Sequence, residues 1–206
     1  SMFDLDEKGA GFEMKNLEVF FTGSNLVDMD FGPDGKMYIS EFNNGGYLNR
    51  DEGNIFSLEV PGETDKEEVK ENEIILTSDF SKSSDPELYE LLARDHQQVR
   101  LKAQFELAKR KAGAELFAKA AQDKQAPQLQ RIHGIWGMGM LASKNISLLK
   151  PLKSLLMSDE DAQVRIQCAR VLGDHRDKSA MNELLKALQD SHARAAMYAG
   201  IGLGRI

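Results

Sequence analysis

Four ten-residue segments in the second half of the chain repeat one pattern: VRLKAQFELA (99–108), QRIHGIWGMG (130–139), VRIQCARVLG (164–173) and AAMYAGIGLG (195–204). Their closing residues, Ala108, Gly139, Gly173 and Gly204, stand 31, 34 and 31 positions apart. A period of this size marks a stack of similar supersecondary units. Within the segments, apolar residues recur at i, i+4 and i+8, as in Val99, Ala103, Leu107 and Val164, Cys168, Leu172. That spacing lays one stripe along one face of a helix. The middle position is always small (Ala103, Gly134, Cys168, Ala199), which lets a neighbouring helix come close.

Each segment is preceded by a second helical stretch, giving four helix pairs from Pro86 onward: 87–94 with 97–111, 114–122 with 128–143, 146–157 with 162–173, and 180–189 with 192–206. Ser83, Ser84 and Asp85 before Pro86 set the first helix start. Asp or Ser in the turns is expected to cap each second helix. One pair cannot bury its own stripe, so the expectation is a curved, right-handed α-solenoid with a continuous core.

Residues 17–60 read as β. LEVFFTG (17–23), LVDMDF (26–31), KMYISEF (36–42) and NIFSLEV (54–60) are rich in β-branched and aromatic residues. Alternation puts Val27, Met29 and Phe31, then Met37, Ile39 and Glu41, on common faces. Gly32-Pro33-Asp34-Gly35 between two of these runs is a hairpin signal, and Asn43 to Asn54 is a polar loop. The four runs are expected to form one small antiparallel meander. PGETDKEEVKENE (61–73) reads as an acidic linker with at most a helical turn, and Ile74-Ile75-Leu76 as a short strand or docking segment. The fold class is therefore α+β, mostly α, with a β segment at 1–60, a linker at 61–85 and a repeat solenoid at 86–206.

Charge follows this division. Residues 1–85 carry 20 Asp/Glu against 7 Lys/Arg, and residues 86–206 carry 13 against 19, nets of −13 and +6. The basic half is neither strong nor clustered enough for nucleic acid. No run of 18 apolar residues exists to span a membrane, and no basic-then-apolar leader opens the chain. Cys168 is the only cysteine, so an internal disulfide, a four-cysteine zinc site and a Cys-x-x-Cys-His haem attachment are excluded within these residues. At the small-residue position of its repeat it reads as a buried hydrophobe.

The helical half resembles HEAT repeats of the short kind also found in phycobilisome lyase-like proteins. The resemblance rests on Val99-Arg100 and Val164-Arg165, the small mid-helix residues, and the Leu-Gly closures at Leu172-Gly173 and Leu203-Gly204. The segments VDMDFGPDGKMYISEF (27–42) and GNIFSLEV (53–60) resemble one blade of a sorbosone/glucose dehydrogenase-like β-propeller. The order of blade, linker and repeats is similar to the secreted "membrane-bound dehydrogenase" family of planctomycetes and verrucomicrobia. The resemblance implies a periplasmic or secreted parent protein with a quinone and a haem c, oxidising a sugar or alcohol. The catalytic and quinone-binding positions of such propellers are spread over several blades, so none transfers here, and no cofactor is expected in these residues. The apolar GIGLGRI (200–206) and the open edges of a four-stranded sheet suggest a fragment whose parent continues at both ends.

Candidate site residues are those a partner could touch. Arg100, Arg131 and Arg165 hold one position in three repeats. As a ladder they would line a carboxylate groove, or each pairs with an aspartate (Asp95, Asp161) or carbonyl at an inter-repeat turn. The second reading is expected. His133 and Trp136, three apart on one helix, either face a partner or form an inter-repeat core pair, and the core pair is expected. His96, His175 and His192 fall in turns. Asp28, Asp30 and Asp34 lack the spacing of a Ca²⁺ loop and read as strand and turn chemistry. There is no Gly-x-Ser-x-Gly elbow, and the glycines of GIWGMGM sit in a helix, where they serve packing. The functional expectation is a non-catalytic scaffold that binds a protein partner or the neighbouring domains of its parent. The alternatives are a free-standing protein-binding module and a lyase-like protein.

Overall fold

The computed structural model describes residues 2–22, 26–42 and 53–206. Contacts divide the chain into two units, Ser1–Asp4 with Met14–Ser78, and Leu5–Glu13 with Asp79–Ile206.

The strands form two sheets, not one meander. β1 (Met2–Lys8) and β2 (Gly11–Glu18) make a two-stranded hairpin, while β3 (Leu26–Phe31), β4 (Met37–Phe42) and β5 (Gly53–Leu58) make a three-stranded antiparallel sheet in that order. The strand expected over LEVFFTG ends at Glu18, and Val19–Thr22 lie outside any strand. The alternating MFDLDEK and GFEMKNLE segments pair with each other instead, around Gly9 at φ +59°. The hairpin between β3 and β4 forms as expected. Gly32 N–H donates to the Lys36 carbonyl at 2.8 Å, and Gly35 takes φ +76°. Met29 pairs with Ile39 and Phe31 with Met37, so those residues share a face, but the register shifts between Leu26 and Asp28, at Val27. Most of the expected loop, residues 43–52, lies outside the described residues.

The acidic stretch is a true helix, α1 (Glu67–Thr77), which includes the Ile-Ile-Leu run expected as a short strand or docking segment. Its Glu and Lys are strong helix formers. Val69, Asn72 and Leu76, at i, i+3 and i+7, give it an inward stripe in which Asn72 and Leu76 are buried.

The second unit is a stack of helix pairs. The pairs are α2 (Asp85–Leu91) with α3 (Gln97–Leu107), α4 (Gly113–Gln122) with α5 (Gln128–Ala142), α6 (Lys150–Ser158) with α7 (Ala162–Asp174), and α8 (Met181–Ala187) with α9 (Ala193–Arg205). Second helices touch in the order α3, α5, α7, α9, and first helices in the order α2, α4, α6, α8. Ser84 opens α2 with a reciprocal capping box to Glu87. The expected caps on the second helices occur once: Asp161 accepts from Gln163 N–H, whereas α3, α5 and α9 begin at His96, Pro127 and His192 with no side-chain cap. Those helices are fixed by burial of their stripes. Val99, Ala103, Leu107, Val164, Cys168, Leu172 and Ala199 are all fully buried.

Close approach is steepest at the last seam, where a Cβ on Gly173 would stand 2.4 Å from the Gly202 Cα. Gly173→Leu is expected to lower stability to urea by roughly 1–3 kcal/mol through overpacking. Gly204→Ala, with nothing within 4 Å of its Cβ, should instead be neutral or stabilising by up to about 1 kcal/mol.

Candidate functional site

The three ladder arginines sit at the fourth residue of α3, α5 and α7. Each turns inward. Arg100 donates through Nη1 to the Arg94 and Asp95 carbonyls at 2.6 Å each. Arg165 does the same to the Asp159 and Glu160 carbonyls at 2.8 and 3.1 Å. Arg131 follows a longer turn and reaches the Ala121 carbonyl at 3.2 Å. These bonds satisfy carbonyls at the ends of the first helices or in the turns after them, groups that otherwise lack partners.

The same guanidinium then reaches the following pair. Arg131 forks onto the Asp159 carboxylate, with both residues about 5% exposed. Arg165 forks onto Asp190 at 2.7 and 2.9 Å. Burial pushes the Asp159 carboxyl up, but the Arg131 guanidinium and the Asp161 amide outweigh this and hold it below its ordinary range. Asp190 is held low chiefly by Arg165. The expected turn partners were Asp95 and Asp161, by carboxylate or carbonyl. Asp95 serves through its carbonyl, whereas Asp161 caps α7 and accepts from Gln128 at 2.8 Å. Asp159 and Asp190 were legible as residues standing six before the arginine position of the next repeat. Gln125 occupies that place in the second pair.

Arg100 therefore meets a different group. Its Nε donates to His133 Nε2 at 3.1 Å. That makes Nε2 an acceptor and puts the ring proton on Nδ1, 2.6 Å from Gln104 Oε1. Gln104 in turn donates to the Met140 sulfur at 3.0 Å. Burial, with the Arg100 charge beside it, pushes the His133 imidazole down to about 4. Trp136 meets the His133 ring edge-on at 5.0 Å and donates its indole N–H to Gln167 Oε1 on α7 at 2.9 Å. His133 is buried and packs against Trp136 as expected, but Trp136 is only half-buried and keeps part of its surface outside the core. Cys168 is fully buried, which pushes its thiol up and leaves it unreactive.

His96, His175 and His192 all fall at helix caps. Asp28 and Asp30 accept from the amides of Met29 and Phe31, and Asp34 from Lys36 N–H and the Tyr38 hydroxyl. Among the described residues no group of three His, Cys, Asp or Glu is placed to hold a metal ion, and no helix is long and apolar enough to cross a membrane. A covalent haem does not fit these residues, since the one cysteine is buried in the core.

The position five residues beyond the arginine position reaches solvent in every repeat of the second helices: Phe105, Trp136, Arg170 and Ile201. Phe105 is 51% and Ile201 39% exposed. Residues 149–206 match the family model of HEAT repeats. The match covers the third and fourth pairs. The first two continue the same helix pairing and arginine position without being matched. No curated protein matches the chain.

Asp159→Ala leaves the Arg131 charge buried without its carboxylate, and should cost about 3–5 kcal/mol in urea unfolding. His133 binds a proton in the unfolded chain below about pH 6.5 but in the fold only near pH 4. Its contribution is therefore intact above pH 6.5 and falls as the pH drops from 6.5 toward 4, by at most about 1.4 kcal/mol per unit. Urea unfolding at a series of pH values should show this slope, and His133→Gln should remove it.

Proposed function

We propose that residues 86–206 act as a protein-binding scaffold, with the second helices α3, α5, α7 and α9 supplying the docking face. HEAT repeats are interaction modules, and residues of that kind cover the third and fourth pairs. The observation that carries the reading is how the side chains divide. The three ladder arginines, His133, Gln104, Asp159 and Asp190, polar groups that could otherwise meet a ligand, are consumed in joints between helices. The solvent side of the second helices instead presents Phe105, Trp136 and Ile201, apolar groups whose aromatic members are of the kinds enriched at protein interfaces.

The remainder of the proposal concerns context. The three-stranded sheet with its Gly32–Gly35 hairpin, and with Met29, Phe31 and Phe56 exposed on the face they share with Ile39, has the character of a blade that expects a neighbour. This supports the resemblance to a dehydrogenase-type propeller. On that reading the repeats position a propeller against a further domain of a periplasmic or secreted protein. Any quinone or haem would belong to other parts of that parent, and residues 1–206 would be non-catalytic. A free-standing binding module is the alternative, since the exposed second-helix anchors need no propeller.

A photoreactive benzoylphenylalanine placed at position 105 or 201 should form adducts with a partner in the native cell. The same group at Met157 or Leu188, on or just after first helices, should not. Equal labelling from both sets would defeat the docking-face reading. Residues 1–206 should show no turnover of sugars or alcohols with an added quinone acceptor, and any turnover would overturn the non-catalytic reading.

A further inference from the structure

The docking face carries a concave place. Between α5 and α7 opens a cavity of ≈ 460 Å³, a size ordinary for a small binding pocket. Trp136, Met140 and Val171 supply its apolar lining. Gly139, also in the lining, lets α5 come close to α7 here, because a Cβ there would stand 3.1 Å from Val171 Cγ1 and 3.5 Å from His175 Nε2. The indole is not free to swing into the space. Its N–H is bound to Gln167, and His133 packs edge-on against its ring.

The rim is charged, and unevenly. Asp174 accepts from Arg205 and also lies 3.7 Å from the Arg170 Nε. Two guanidiniums thus share one carboxylate, which leaves one positive charge beside an apolar hollow. Arg170 and Asp174 are about half and two-fifths exposed, so both are within reach of a ligand. The surrounding residues 86–206 add to this field, with 19 Lys/Arg against 13 Asp/Glu.

We propose that this hollow receives a peptide segment of a partner protein in which a bulky aliphatic side chain is followed directly by carboxylates. The aliphatic group enters between Trp136 and Met140 over Val171. The carboxylate pairs with Arg170, whose planar fork suits a two-point bond. A basic segment meets Arg170 and Arg205 and is rejected. The proposal rests on the reading of the second-helix face as a protein-binding surface and adds the chemistry of what binds there.

Trp136 is the only tryptophan in the chain, so its emission reports the site directly. The full chain is titrated with three blocked pentapeptides: Gly-Leu-Glu-Glu-Gly, Gly-Leu-Lys-Lys-Gly and Gly-Gly-Glu-Glu-Gly. The first should give a saturable emission change. The other two should bind at least about tenfold more weakly, a difference that titration resolves. Arg170→Glu should reverse the preference toward the lysine peptide, and Gly139→Leu should fill the hollow and abolish the response. If Gly139→Leu does not fold, the charge reversal at Arg170 decides alone. No saturable change with the leucine–glutamate peptide up to about millimolar concentration, an equal response to the lysine peptide, or indifference to Arg170→Glu would overturn the proposal. Should that happen while adducts still form from positions 105 and 201, the partner chemistry falls and the docking face stands. Should both fail, both readings fall.

Discussion

A guanidinium buried between two helix pairs cannot remain uncompensated, and the second unit is organised around that requirement. Removing such a charge from water costs several kcal/mol unless its donors are matched. Each ladder arginine matches them on both sides of a seam. One side is the set of carbonyls that the preceding helix and its turn leave without partners. The other is a group presented by the next pair. A stack held only by apolar stripes could slide by a turn with modest penalty, since the stripes repeat along each helix. A forked arginine bond to Asp159 or Asp190 is lost on such a slide, so these bonds fix register where packing fixes only proximity.

The helical fold was readable because its signals are local and periodic. The stripe Val164, Cys168, Leu172 and the small residues at mid-helix state which face is buried, and the structure buries them. The arginine ladder was also visible, and its inward direction followed from the presence of turn aspartates. Asp95 serves at its turn through its carbonyl, and what failed was the choice of Asp161. Asp161 stands nearer in sequence, but its geometry suits a helix cap. Asp159 and Asp190 reach across a seam, which only alignment of the repeats to each other reveals. The β segment was less legible. The Phe20-Phe21 pair drew a strand to itself by composition, whereas pairing went to the plainer alternation of residues 2–18 around Gly9. The helix α1 was hidden by its charge, because a run of glutamates looks like a linker until the stripe at 69, 72 and 76, buried at its last two positions, is counted.

The site residues show the same division between type and role. Arginine, histidine and tryptophan drew attention as partner contacts, yet the charged heads of Arg100, Arg131 and Arg165 are held inside the protein. His133 is kept neutral as the acceptor that Arg100 needs where Gln125 replaces the aspartate of the other seams. Of the five candidates, Trp136 keeps part of its surface toward solvent while its N–H is secured internally, and Arg165 keeps an edge of its side chain there. The exposed positions that complete the face, Phe105 and Ile201, have no distinctive chemistry. They emerge only once the repeats are placed in register.

The joint between pairs also bears on how such a chain could change length. The arginine of α5 meets an aspartate at the same offset in the next turn as the arginine of α7 does. If the third pair were deleted in frame, Arg131 would come to face Asp190 in place of Asp159. If it were duplicated, each copy would bring both the arginine for the seam after it and the aspartate for the seam before it. Gain or loss of a unit there leaves no buried charge stranded. The first seam, with its histidine, lacks this interchangeability. Recombination in a lineage of such proteins would therefore be tolerated more readily toward the later repeats than across the first pair.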